Sequence, residues 1–104
     1  MTDIGITTID IRAWARERGL HEADPNKQFL KVAEEFGEIG AAMARGNKEE
    51  LIDAIGDTYV TLTILAMQSG TTIEDCIKAA YDVIKQRTGR TINGIFIKDE
   101  TQSI

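Results

Sequence analysis

Glu34, Glu35 and Glu38 stand within five residues of one another, and Asp53 and Asp57 follow one helical turn apart after a short spacer. Carboxylates three or four positions apart share one face of a helix and repel unless something compensates them. The first cluster alone is explained by a solvated acidic face, because glutamate is a good helix former. The second is not. Aspartate is a mediocre helix former, and Gly56 beside Asp57 costs a further ~1 kcal/mol relative to alanine. A carboxylate taken into a packed helix is expensive without a cation or a donor. Oxygen ligands without imidazole or thiolate suit hard cations, Mg²⁺ first and Mn²⁺ as its substitute, which share their coordination with water and phosphate oxygens. Zinc and di-iron fit poorly. The chain has one cysteine, Cys76, and one histidine, His21, with no Glu-x-x-His on paired helices.

These acids need two helices to position them. Asp24 followed by Pro25 reads as an N-cap and first helical residue, and Gly46 as the stop of that helix. Within it Phe29, Val32, Ala33, Phe36, Gly40 and Met43 recur at helical spacing and form the expected core stripe, with Lys31, Glu34, Glu35 and Glu38 on the other side. Asn47 with Glu50 three residues later resembles a capping box and opens the next helix, which runs to about Ser69 and Gly70. Its apolar residues, among them Ile52, Ile55, Tyr59, Leu62 and Ile64, spread around most of the circumference, so burial on several sides is expected. Glu50, Asp53, Asp57 and Thr61 form a polar seam along this apolar rod. If the two helices pack antiparallel through the Gly46-Asn47 turn, Glu38 meets the level of Asp53 and Glu35 that of Asp57, and four carboxylates converge. Glu50 is a further candidate ligand, although a capping role explains it equally well. Gly37, Gly40 and Gly56 point to close helix approach or to room for a ligand.

Around this pair, a helix is expected from Thr7 to Gly19, then a linker from Leu20 to Ala23 that carries His21 as a solvated residue. A fourth helix opens at Thr71 or Thr72 and stops near Gly89, with Cys76 as a small residue on one face. Asn93-Gly94 between apolar β-branched residues signals a hairpin or arm, and Lys98 to Ile104 reads as a loose tail. The fold class is therefore all-α, an antiparallel four-helix bundle-like arrangement with a short C-terminal hairpin or arm, in a single domain over residues 1–104.

The bulk numbers narrow the function. The net charge is −5, which argues against binding a nucleic-acid backbone. No run of ~18 apolar residues and no signal-peptide pattern is present, so the expectation is a soluble cytoplasmic protein without membrane contact. Against that acidic background Lys85, Arg87 and Arg90 form a local basic cluster able to attract a small anion. Four short helices leave apolar surface uncovered, so a homodimer or homotetramer is expected.

Glu34-Glu35-x-x-Glu38, the spacer and the acidic pair on the next helix resemble the MazG-like all-α nucleoside triphosphate pyrophosphohydrolases, of the short bacterial and phage type. The likeness covers about Asp24 to Lys98. The family's second motif is commonly Glu-x-x-Asp. If Asp57 is its aspartate, Ala54 occupies the glutamate position and Asp53 substitutes; alternatively Glu50-Leu51-Ile52-Asp53 is the literal match.

The resemblance implies Mg²⁺-dependent hydrolysis of an NTP or dNTP to the monophosphate and pyrophosphate. Metal ligands would come from Glu35, Glu38, Asp53, Asp57 and Glu50, with Glu34 or Glu35 orienting or deprotonating the attacking water. Lys31, Lys85, Arg87 and Arg90 would hold the polyphosphate, and Trp14 would stack on the base. The competing expectation is a non-catalytic helical module that binds nucleotide or protein, with a degenerate metal site.

Overall fold

A computed structural model of the chain describes residues 2–99. It contains the four expected helices and the C-terminal hairpin: α1 (Ile4–Glu17), α2 (Pro25–Arg45), α3 (Lys48–Gln68), α4 (Ile73–Ile84), β1 (Gly89–Ile92) and β2 (Ile95–Lys98). The chain divides after Ile73 into two compact units.

In the first unit, local chemistry sets the helix ends. The Asp3 carboxylate accepts from the Ile6 N–H at 3.1 Å, so α1 starts earlier than the Thr7 expected from its apolar spacing. Between α1 and α2 the chain makes a single 3-10 turn over Leu20–Glu22 rather than an unstructured linker, with His21 half-buried. Asp24 caps α2 through the Asn26 N–H, Pro25 takes the first helical position, and Gly46 closes the helix in the left-handed region at φ 64°. The Asn47 side chain accepts from the Glu50 N–H at 3.1 Å and opens α3.

The two long helices α2 and α3 form an antiparallel hairpin, and Gln28 marks its open end by donating to the Thr61 carbonyl at 3.0 Å. Helix α1 and the 3-10 turn pack on α3. Thr8, almost fully buried, bonds to the Tyr59 hydroxyl at 2.7 Å, and Gln68 donates to the Leu20 carbonyl at 2.8 Å. The buried apolar residues of this unit are small: Ala15, Ala42, Ala54 and Ala66, with Ile64 the largest before Ile73.

Two expectations about packing are corrected. Of the stripe expected to face the core of α2 only Val32 turns inward; the large residues point outward, with Phe29 59% exposed, Phe36 69% and Met43 65%. The inward row is instead Gln28, Val32, Glu35, Ile39 and Ala42, all buried or half-buried. Helix α2 carries two rows able to pack, and α3 covers the one that bears Glu35. Helix α3 is buried on several sides only in its second half, at Thr61, Thr63, Ile64 and Ala66; in its first half Ile52 and Ile55 are more than half exposed. The glycines do not mark close approach within the chain: a Cβ at Gly37, Gly40 or Gly56 meets no heavy atom within 4 Å.

In the second unit, Lys78 and Lys85 both bond to Asp82 along the α4 face, Cys76 is exposed, and the helix ends at Ile84 rather than near Gly89. The hairpin follows the turn signal. Asn93 and Gly94 both take positive φ, at 51° and 79°, and pair Ile92 with Ile95. Gly89 opens β1 opposite Lys98, where a Cβ would collide with the Ile97 carbonyl oxygen. Lys98 thus ends a strand and the Asp99 N–H donates to the Thr88 carbonyl at 3.1 Å, so the first two residues of the expected tail are held; residues 100–104 lie outside the described residues. Among the described residues no helix is long and apolar enough to cross a membrane.

Candidate functional site

The antiparallel register of α2 and α3 carries the site. A cleft of about 220 Å³ between the two helices is lined by Glu38, Arg45, Glu50, Asp53, Ala54 and Asp57. Four of its six residues are acids: Glu38, Asp53 and Asp57 were expected from their spacing to face one place, and Glu50 was a further candidate that a capping role explained equally well. Glu35 lies one turn before Glu38 on the inward row, half-buried, and feels the charges of Asp57, Glu34 and Glu38.

Electrostatics follow from this crowding. Desolvation is the first cause that pushes the Glu35 carboxyl above its usual range, followed by repulsion from Asp57 and Glu34, with Lys31 opposing. Asp57 is raised in the same direction by desolvation and then by the charge and hydrogen bond of Asp53. Both shifts describe acids that the surrounding protein does not fully compensate. Among the described residues, no three carboxylate, imidazole or thiol groups are gathered as a ready coordination sphere. The acids share a cleft without closing on one point. Their chemistry nonetheless fits a hard divalent cation: oxygen donors only, in excess negative charge, with room between them.

Sequence reasoning missed Arg45, the one cation in the lining. Its Nε donates to Glu50 Oε2 at 2.8 Å, and its Nη2 reaches the same oxygen. A basic residue in the last turn of a helix suits the dipole and draws no attention. The signal was the register: the antiparallel turn that sets Glu38 against Asp53 also sets Arg45 against Glu50. Ala54 was read as a gap in a motif, and it is 5% exposed on the cleft wall.

The other expected residues stand elsewhere. Lys31 pairs with Glu34 at 3.3 Å, on an exposed part of α2. Trp14, on α1, is covered on one face by the Arg18 guanidinium, 4.2 Å from the ring centroid. Lys85, Arg87 and Arg90 belong to the second unit, where Lys85 bonds to Asp82 at 3.0 Å and Arg90 is part of β1. His21 Nε2 lies 3.5 Å from Glu22 and takes no part in the acidic cleft.

A helical hairpin that turns carboxylates from both helices onto one cleft defines an all-α protein with an acidic, oxygen-donor site. The sequence model of the phosphoribosyl-ATP pyrophosphohydrolase family matches residues 8–83, and the chain belongs to that family. The matched segment includes every acid of the cleft and ends before Lys85, Arg87 and Arg90. The chain is also 40% identical over 70 residues to the uncharacterized 18.2 kDa protein in the rep-hol intergenic region of Haemophilus phage HP1 (strain HP1c1), an alignment that covers 66% of this chain and 43% of the phage protein. The chain therefore spans less than half the length of that relative. No solved structure matches it.

Proposed function

We propose that the protein is a divalent-cation-dependent nucleoside triphosphate pyrophosphohydrolase of the MazG-like type, converting an NTP or dNTP to the monophosphate and pyrophosphate. The observation that carries this reading is the cleft in which Glu38, Glu50, Asp53 and Asp57 meet from two helices, within a chain of a pyrophosphohydrolase family. Glu35, Glu38, Asp53 and Asp57, with Glu50, would hold Mg²⁺ or Mn²⁺. When bound, such an ion supplies charge neutralisation at phosphate oxygens and Lewis acidity toward water.

The chain's own residues supply the rest. A water oxygen adds at the α-phosphorus, the bond from that phosphorus to the α–β bridging oxygen breaks, and pyrophosphate leaves with the bonding electrons. The water's proton passes to a glutamate of α2. Glu35 is better placed for this than Glu34, because it faces α3 and Asp57, whereas Glu34 pairs with Lys31 on the exposed side.

The assembly is proposed as a homodimer or homotetramer. Phe29, Ala33, Phe36, Gly40 and Met43 alternate at spacings of four and three along the outer face of α2, and Ile52, Ile55 and Leu62 are exposed on α3. Gly40 lies within that stripe and has open space where its Cβ would be, which suits approach by a second chain. Light scattering that returned the monomer mass of 11.5 kDa at micromolar concentration would overturn this part.

A second reading, a non-catalytic helical module that binds nucleotide or protein, is favoured by one observation. Ala54 occupies the cleft wall at the position where a Glu-x-x-Asp motif ending at Asp57 would place its glutamate. Pyrophosphate release from a panel of canonical and modified NTPs and dNTPs, with and without Mg²⁺, separates the two. Mg²⁺-dependent release that Asp57→Asn abolishes supports the hydrolase. Silence across the panel from folded protein supports the binding module.

A further inference from the structure

An acidic cleft has the wrong sign for its own proposed substrate. A triphosphate brings several negative charges to a site lined by four carboxylates; a bound cation would offset part of that charge, and a basic side chain in the lining is placed to offset more. Arg45 is the one cation there, and it is already engaged: Nε and Nη2, along one edge of the guanidinium, converge upon a single oxygen of Glu50. That is not the fork in which the same edge satisfies both carboxylate oxygens, and the two side chains are 54% and 46% exposed. A surface pair of this kind adds little stability. A phosphate offers the same guanidinium two oxygens and more charge. The Gly46-Asn47 turn holds the partners across the mouth of the helical hairpin, five residues apart in sequence, so neither needs backbone movement to part from the other.

We propose that Arg45 is an exchange residue: it neutralises Glu50 until a polyphosphate arrives, then moves onto the phosphate and frees Glu50 toward the cation. Binding of cation and of polyphosphate is thereby coupled through one ion pair. Arg45 opposes the cation in the absence of nucleotide and favours it in the presence of nucleotide. This deepens the hydrolase reading, and one arm of its test is independent of that reading.

The test uses Arg45→Gln, with Arg45→Lys as a second variant that keeps the charge but loses the fork. The first arm is turnover of the best triphosphate from the panel. Arg45→Gln is expected to raise KM about tenfold with a smaller loss in kcat, and Arg45→Lys to fall between it and the native chain. The second arm is Mn²⁺ titration of nucleotide-free protein by calorimetry. Here Arg45→Gln is expected to tighten Mn²⁺ about fivefold, and the gain is expected to vanish in an Glu50→Gln background. Opposite signs in the two arms are the signature; a merely structural arginine would weaken both. Mn²⁺ affinity that Arg45→Gln leaves unchanged or weakens, including no binding by either protein, overturns the exchange whatever the turnover shows. A native chain that hydrolyses nothing overturns the hydrolase reading and leaves the Mn²⁺ arm to decide the role of Arg45.

Discussion

Asp57 and Asp82 are both helical aspartates, and their surroundings push them in opposite directions. Asp82 sits on α4 with Lys78 and Lys85 bonded to it, and those two bonds, Lys78 first, hold its carboxyl below the usual range. Asp57 sits on α3, is partly desolvated, and has Asp53 as its immediate neighbour, so its carboxyl is pushed up. The first arrangement is how a helix solvates an acid: partners at i−4 and i+3 on the same exposed face. The second gives folding no benefit that the structure reveals. On the proposed function, the compensation comes from a cation that the cleft would hold.

The comparison breaks or sharpens in a definite order. The largest effect is on turnover: Glu38→Ala is expected to lower pyrophosphate release by at least ~10²-fold, whereas Asp82→Asn leaves it unchanged, measured side by side at saturating Mg²⁺. Equal losses in both variants would erase the distinction.

Next comes stability against pH. A carboxyl whose folded pKa lies above its unfolded value stabilises the fold below the unfolded value and loses that contribution as pH rises through the folded one. Glu35 and Asp57 therefore contribute a decline in stability from the ordinary carboxylate range upward in cation-free protein. Asp82, lowered, contributes the reverse: its stabilisation is present above the unfolded value and fades as pH falls through the folded one. Thermal melts in EDTA from pH 4 to 7 on the native chain and on Asp57→Asn check this, with a flatter acid-to-neutral decline expected in the variant. Millimolar Mg²⁺ at neutral pH is expected to raise the melting temperature of the native chain and not of the variant.

Smaller still, Glu35→Gln removes one repelling charge from the inward row of α2 and is expected to raise the cation-free melting temperature by ~2–4 °C while lowering activity. Asp82→Asn is expected to change the melting temperature least of all, since an exposed pair contributes little.

How much of this was legible in the sequence depends on how local the determinant is. The caps at Asp24-Pro25, Gly46 and Asn47, and the Asn93-Gly94 turn, are each decided by a few neighbouring atoms, and the structure places them as expected. The convergence of Glu38, Asp53 and Asp57 was also legible, because helical arithmetic plus one tight turn determines which residues oppose each other; Glu50, which capping explained as well, joins them, and Glu35 lies one turn beyond the lining. The inward face of α2 was not. Its most apolar row, through Phe29, Phe36 and Met43, looks like a core stripe and points away from α3, while the row that packs contains Gln28 and Glu35. Hydropathy ranks rows by how strongly they seek burial and says nothing about which neighbour covers them. The start of α1 at Ile4 was missed for a local reason: the periodicity begins late, and the single Asp3 carboxylate that caps the helix lies before it.

The Gly46-Asn47 turn has a consequence for how this chain tolerates change in length. Connections between helices are ordinarily where insertions do least harm, because a longer loop costs little entropy. Here the loop is also the vernier between two acidic rows. One added residue that was absorbed into α3 would turn Asp53 and Asp57 through ~100° about the helix axis relative to Glu38. The fold could survive such an insertion while the cleft would not, so a connection of two residues is held to its length by the site and not by the fold.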